Sequence, residues 1–265
     1  MKTKTIGIAK ITWVLCGLLF SANLYPQLTG REIIRKVEES PDGNNRKSLM
    51  TMQLVNHRGA TRERTILSYS MDLGKDSKSI MFFQSPADVK GTGFLSWQYD
   101  DPDRDDDKWL YLPAKKKVRR ISGSSAKKEN FMGSDFTYDD MGGRNVDEDE
   151  HQLLKEEPWD GSPCWVVESR PLEEDAVYSK TVSWIRQDAL VPVKVEFYDR
   201  MGKLLKTLVA SDISRESGYW TTRKLEMTNH QRNHRTLILM EHIEYDIAMN
   251  ESLFTVPSLE RGLTE

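Results

Sequence analysis

From about residue 50 onward, apolar residues keep returning at every second position. Met50, Met52 and Leu54 alternate with Thr51 and Gln53, and Leu67, Tyr69 and Met71 alternate with Ser68 and Ser70. Val191, Val193, Val195 and Phe197 enclose Lys194 and Glu196, while Leu237, Leu239, Ile243 and Tyr245 share a parity that Glu241 interrupts. A period of two is the signature of a strand with one apolar face. The runs are bounded by Arg58-Gly59, Leu73-Gly74-Lys75 and Arg200-Met201-Gly202, residue types that turn a chain. The pattern predicts strands of roughly 7 to 11 residues joined by short turns. Alternation of strands with long helices and a glycine-rich nucleotide loop are both missing, so the sheet is expected to be antiparallel and the class mainly β (α+β).

Two segments depart from this period. Thr29–Ser40 reads as a short helix, with Thr29 as its N-cap and Ile33, Ile34 and Val37 as one apolar stripe. Residues 123–160 are polar, with weak helical stretches at Ser125–Asn130 and Asp135–Met141 and an acidic run from Asp147 to Glu150. Because the same strand pattern flanks this insert on both sides, it is read as a cover laid over one face of a single continuous sheet.

The first two dozen residues have a different character. Lys2, Lys4 and Lys10 precede the apolar stretch Ile11–Phe20, and the small or polar Ser21, Ala22 and Asn23 follow. This is the layout of a secretory signal peptide (1–24, cleaved between 21 and 27), too short to span a bilayer at the ~20 residues a span needs. Cys16 invites a lipoprotein reading, against which Leu15 precedes it and the apolar run continues beyond it. The mature domain is then 25–265 and the expected compartment is the periplasm.

Removal of the leader moves the formal charge from −3 to about −6 and leaves Cys164 alone, so no internal disulfide can form. Cys164 lies in Pro163-Cys164-Trp165-Val166-Val167, the start of a buried strand, and is read as a core residue. An acidic exported chain offers nothing to nucleic acid. The 11 methionines, several of them at alternating strand positions, suit either a core or a surface that repacks against variable apolar ligands.

No catalytic set stands out. Asp101, Asp103 and Asp105 occupy positions 1, 3 and 5 of a calcium-loop pattern, but Asp106 and Leu112 replace the glycine and the bidentate glutamate, which leaves a solvated hairpin loop. His230 and His234 have helical ligand spacing without the intervening glutamate, in a strand-flanking turn. The chain is read as a non-enzyme without cofactor or metal. The basic run Lys115-Lys116-Lys117-Val118-Arg119-Arg120 is either an edge strand guarded by charge or a patch for head groups or an acidic partner.

Four blocks occur in order: Pro86-Ala87-Asp88-Val89-Lys90-Gly91-Thr92-Gly93-Phe94-Leu95-Ser96-Trp97, then Lys108-Trp109-Leu110-Tyr111-Leu112-Pro113-Ala114, then Val118-Arg119-Arg120-Ile121, then Phe131-Met132-Gly133-Ser134-Asp135-Phe136-Thr137-Tyr138-Asp139-Asp140-Met141. With the closing Phe254-Thr255-Val256-Pro257, they resemble the outer-membrane lipoprotein-sorting (LolA-like) family of exported bacterial proteins. The resemblance implies an incomplete antiparallel barrel of about eleven strands, covered by short helices, whose apolar concavity holds acyl chains. It implies a monomeric lipid or lipoprotein carrier, working with an inner-membrane transporter of the RND type or an outer-membrane acceptor; an envelope regulator or scaffold on the same fold is the alternative. Strand parity assigns the cavity lining to Met50, Met52, Leu54, Leu67, Tyr69, Phe82, Trp97, Trp109 and Tyr111. Gly91, Gly93, Phe94, Met132, Gly133, Asp135 and Phe136 are expected around the mouth and lid, and Lys115, Lys117, Arg119 and Arg120 as the head-group or partner patch. A register error of one residue would turn any of these sets to the opposite face.

Overall fold

The computed structural model describes residues 28–263, so the expected leader lies outside the described residues. The fold is one antiparallel sheet of thirteen strands. In chain order these are β1 (Asn45–Val55), β2 (Thr61–Leu73), β3 (Asp76–Ser85), β4 (Gly93–Gln98), β5 (Asp107–Leu112), β6 (Lys117–Ile121), β7 (Asp149–Trp159), β8 (Ser162–Pro171), β9 (Lys180–Arg186), β10 (Pro192–Tyr198), β11 (Leu204–Glu216), β12 (Tyr219–Asn229) and β13 (His234–Tyr245). Three short helices accompany them among the described residues: α1 (Gly30–Glu38), α2 (Ser124–Lys127) and α3 (Val256–Arg261).

The order across the sheet is β6-β5-β4-β3-β2-β1-β13-β12-β11-β10-β9-β8-β7. Two meanders, β1–β6 and β7–β13, therefore meet where the first strand pairs with the last, Arg46 opposite Tyr245. The sheet does not close: β6 and β7 are its free edges. That is two strands more than the resemblance implies, and both edge strands, KVRRI and DEHQLLKEEPW, are rich in charge.

The interrupted parity in β13 has a structural cause. Leu49 pairs with His242 but Met50 pairs with Met240, so Glu241 is an extra residue in a bulge and accepts a hydrogen bond from Thr51 Oγ1. A bulge switches the facing of everything beyond it. Ile238 and Met240 consequently share the inner face with Met52 and Met50, whereas Leu237 and Leu239 point the other way.

The N-terminal helix forms as its sequence predicts. Thr29 caps α1 and exchanges hydrogen bonds with Glu32, and Ile33 packs on Val167 and Ile185 of β8 and β9. Cys164 is fully buried beside Val166 and Trp184. Residues 135–141, expected to be helical, are turns instead. There the Asp140 carboxylate accepts from the Thr137 N–H at 2.7 Å and the Asp140 N–H donates to Thr137 Oγ1 at 3.1 Å, so local side-chain bonds replace the helical ladder.

The outer face of β2–β6 is closed by the C-terminal segment. Phe254 and Leu259 are fully buried against Ile80, Phe82 and Leu95, and Trp97 Nε1 donates to the Phe254 carbonyl at 2.9 Å. At Gly93 any Cβ would lie 2.6 Å from Leu259 Cδ1, so glycine is what allows α3 to approach the strand. Phe254→Ala is expected to cost about 3–5 kcal/mol in a urea unfolding titration, since a fully buried ring leaves a cavity the sheet cannot refill; a loss under about 1 kcal/mol would mean the segment is only loosely seated.

Candidate functional site

Because β6 and β7 are opposite edges but successive strands, the connection between them has to cross the full width of the sheet. Residues 122–146 make that crossing as a strap over the inner face, with α1 continuing the cover toward β7–β9. Glu38 of α1 accepts from the Val146 N–H, and Arg31 pairs with Asp147.

Under the strap the inner face is apolar. Met50, Met52 and Leu54 of β1, Ile66 of β2, Met81 and Phe83 of β3, Phe94 of β4, Leu110 of β5 and Ile121 of β6 form its floor, joined by Met227 and Ile238 from the other meander. The strap lowers aromatic rings onto this floor. Phe131 meets Phe94 edge-on with centroids 5.2 Å apart, and Tyr138 meets Phe131 at 5.6 Å.

Polar anchors pin the strap at defined points. Asp135 is 2 % exposed; its N–H donates to Thr236 Oγ1 at 2.9 Å, and its carboxylate accepts from Thr236 Oγ1 at 2.8 Å and from His234 Nδ1 at 2.7 Å. Lys206, also 2 % exposed, donates to the Asp135 carbonyl and to Asp140 Oδ2, both at 2.8 Å. Tyr178 donates to Asp140 Oδ1 at 2.8 Å; burial first, and the Asp140 carboxylate second, push its phenol far above the usual range, so it remains a donor. Arg64 of β2 donates to the Met132 carbonyl at the apex of the strap, where Met132 and Gly133 both adopt positive φ, 48° and 78°.

The strap's far end is held by Arg144, which donates from Nε and Nη2 to the two oxygens of Asp149 at 3.1 and 2.8 Å, and by His151, whose Nε2 donates to the Val146 carbonyl at 3.0 Å. Between strap and sheet lies a cavity of about 190 Å³, bordered by Phe136, Asp140, Tyr178, Phe197, Leu208 and Met227. For scale, a dry cavity of about 150 Å³ holds a benzene molecule. The cavity thus has room for a group of that size.

The residues singled out by parity fall on two faces. Met50, Met52 and Leu54 lie beneath the strap, but Leu67, Tyr69, Phe82, Trp97, Trp109 and Tyr111 are on the outer face. The cause is register: Met50 stands opposite Ile66, which leaves Leu67 opposite Leu49 on the reverse side, in a shallow outer depression with Lys47 and His242. From Tyr69 onward the outward set runs through Phe82, Trp97, Trp109 and Tyr111 to the C-terminal segment. Met132, Gly133, Asp135 and Phe136 lie in the strap, whereas Phe94 is in the floor, Gly93 sits under α3, and Gly91 turns the β3–β4 loop beside Pro113. Lys115, Lys117, Arg119 and Arg120 are all exposed on the edge hairpin; Arg119 pairs with Glu129 and Arg120 with Asp107.

Sequence reasoning passed over Lys206, Thr236 and Tyr178, and weighed His234 only as a metal ligand. A signal exists for two of them: Lys206 shares parity with Leu208 and Ala210, and Thr236 with Ile238 and Met240. A polar residue in an otherwise inward-facing series needs a buried partner.

A family model described as "Uncharacterized protein" matches residues 75–261. No curated protein matches the chain. Among solved structures, an outer-membrane lipoprotein-sorting protein domain from Vibrio parahaemolyticus is similar at 34% identity and TM-score 0.83, over 88% of this chain and 98% of that one. A DUF1329 family protein from Desulfovibrio piger is similar at 33% identity and TM-score 0.83, over 87% and 97%. A LolA superfamily protein from Nitrosomonas europaea shares the fold at 19% identity and TM-score 0.68, over 88% and 100%.

Two measurements test how the strap is held. Lys206→Met leaves the buried Asp140 carboxylate without its cation, held only by the neutral donors of Tyr178 and Thr137, and is expected to cost about 3 kcal/mol; adding Asp140→Asn should recover part of that loss, and strict additivity of the two would show the pair to be uncoupled. For His151, burial holds the imidazole below its ordinary 6.5. The unfolded chain then takes the proton first, so the contribution is complete above about pH 6.5 and is lost as pH falls through the lower folded value. The stability difference between the wild type and His151→Gln should therefore shrink between about pH 8 and about pH 5; a difference that grows on acidification contradicts the assignment.

Proposed function

The chain belongs to the outer-membrane lipoprotein-sorting (LolA-like) family, and on that basis we propose that it is a periplasmic carrier that shields acyl chains of a lipid or lipoprotein between the sheet's inner face and the strap. The observation that carries this reading is the strap itself. Its Phe131, Phe136 and Tyr138 fill an apolar trough as an acyl chain would, and they are tethered by hydrogen bonds that can be exchanged rather than by a covalent link. Cargo and strap rings compete for one surface.

The energetics suit such a role. Taking about 14 methylenes of a 16-carbon chain out of water contributes up to roughly 11 kcal/mol at ~0.8 kcal/mol each. From this must be subtracted the cost of lifting the strap's rings and parting its anchors, so the net affinity stays in a range from which a chain can be released. No group that makes or breaks a bond is required, and no His, Cys, Asp and Glu cluster suited to a metal occurs among the described residues. No helix among them is long and apolar enough to cross a membrane. Transfer to or from the bilayer is assigned to partners, an RND-type inner-membrane transporter or an outer-membrane acceptor.

Native mass spectrometry of the protein purified from its own cell envelope should show bound acyl lipid, and Met52→Asp, which places a charge in the floor, should abolish it while the outer-face change Leu67→Asp leaves it in place. Protein free of lipid, or equal loss in both variants, would remove the carrier reading and favour a scaffold that binds protein on the same fold.

A further inference from the structure

The turns at one end of the β1–β6 meander gather exposed cations. Lys115 and Lys116 lie in the β5–β6 hairpin and Lys117 opens β6; Lys90 lies in the β3–β4 loop, which abuts the hairpin where the Cβ position of Gly91 comes 3.7 Å from Pro113 Cγ. All four side chains are exposed, and none forms an ion pair among the described residues. By contrast Arg119 and Arg120, farther along β6, are neutralised by Glu129 and Asp107.

Protection of a sheet edge accounts for charge on the strand itself. It does not account for Lys115 and Lys116 in the turn or for Lys90 on a separate loop. A cleft beside the opposite end of the meander sets seven carboxylates, Asp103, Asp105, Asp106, Asp139, Asp147, Glu148 and Glu173, against the four cations Arg104, Lys108, Lys127 and Arg144. The lysine end thus carries exposed positive charge without ion pairs among the described residues, and the cleft carries a net excess of negative charge.

The apex of the strap also reaches the basic end. Arg64, near the start of β2, and Arg232, in the β12–β13 turn, bond to Met132 and Asn130 at the strap's apex. The register places both at the same end as the lysine hairpin. Half-buried Leu112, Pro113 and Met132 add apolar surface beside the lysines.

We propose that this lysine end is a docking surface for an anionic phospholipid bilayer, which the acidic opposite end orients so that the apex of the strap faces the lipid. Lysines within a Debye length of a surface rich in acidic phospholipid are attracted one by one, and the attraction is screened by salt. The surface rests on the carrier reading for its purpose, since it brings the apex of the strap to the source of acyl chains, but its charge geometry stands apart from whether the trough is loaded.

The test is co-sedimentation of the mature protein with vesicles of phosphatidylcholine alone and of phosphatidylcholine mixed with phosphatidylglycerol. Binding is expected only to the anionic vesicles, to fall at high salt, and to weaken on the order of a hundredfold in K115E/K116E/K117E. K115Q/K116Q/K117Q should give an intermediate loss, and circular dichroism should show both variants folded. Native mass spectra of the same variants separate the two claims. Retained acyl cargo with lost vesicle binding supports the surface, and empty protein that still binds anionic vesicles through these lysines supports it while removing the carrier. Equal binding to neutral vesicles, no vesicle binding at all, or wild-type binding by the charge-reversed variant overturns the proposal; capture of a soluble acidic peptide in place of vesicles would reassign the surface to a protein partner.

Discussion

The strap exists because two edge strands of one sheet are consecutive in the chain. A connection between neighbouring strands needs only a few residues and stays at the rim. Here the chain leaves β6 and must reappear at the opposite edge, twelve strand positions away, and an open antiparallel sheet with one uncovered apolar face leaves it a single economical route, across that face. Cover and crossing are the same segment. The inner face is buried without a second sheet, and what buries it is irregular backbone, whose polar groups need partners of their own.

That need explains the inner charges. Lys206, Thr236 and His234 would be out of place in a floor made only for packing, yet each meets a strap group that would otherwise be orphaned. Tertiary bonds of this kind are worth more as position than as net stability, because their desolvation offsets much of their attraction. Apolar rings set how strongly the strap sits, and the anchors set where.

The sheet's existence was legible from the period of two, α1 from its cap and stripe, and the buried Cys164 from its apolar run. The lid residues of the Met132–Phe136 motif were also placed in the cover by resemblance. Facing was less legible. Parity is reliable inside one strand, but which parity of β2 accompanies Met50 depends on pairing partners hundreds of atoms of chain apart, and Ile66 rather than Leu67 won that place. The bulge at Glu241 reversed facing within β13 itself, and the outer aromatic set looked like a cavity wall because the C-terminal segment that covers it carries only two strongly apolar anchors, Phe254 and Leu259. The edge β6 was legible as a charged strand, whereas β7, equally rich in charge, was faint.

The pairing of β1 with β13 carries a consequence for how the protein comes into being. The first meander is local and can assemble as soon as residue 121 is available, but its inner strand β1 keeps an open edge until His234–Tyr245 arrive. Closing that seam joins segments about two hundred positions apart, late in synthesis and slow by loop entropy. Until then each meander presents a bare backbone ladder to whatever lies nearby, and the arrival of His234–Tyr245 is the step that joins two exposed half-sheets into one.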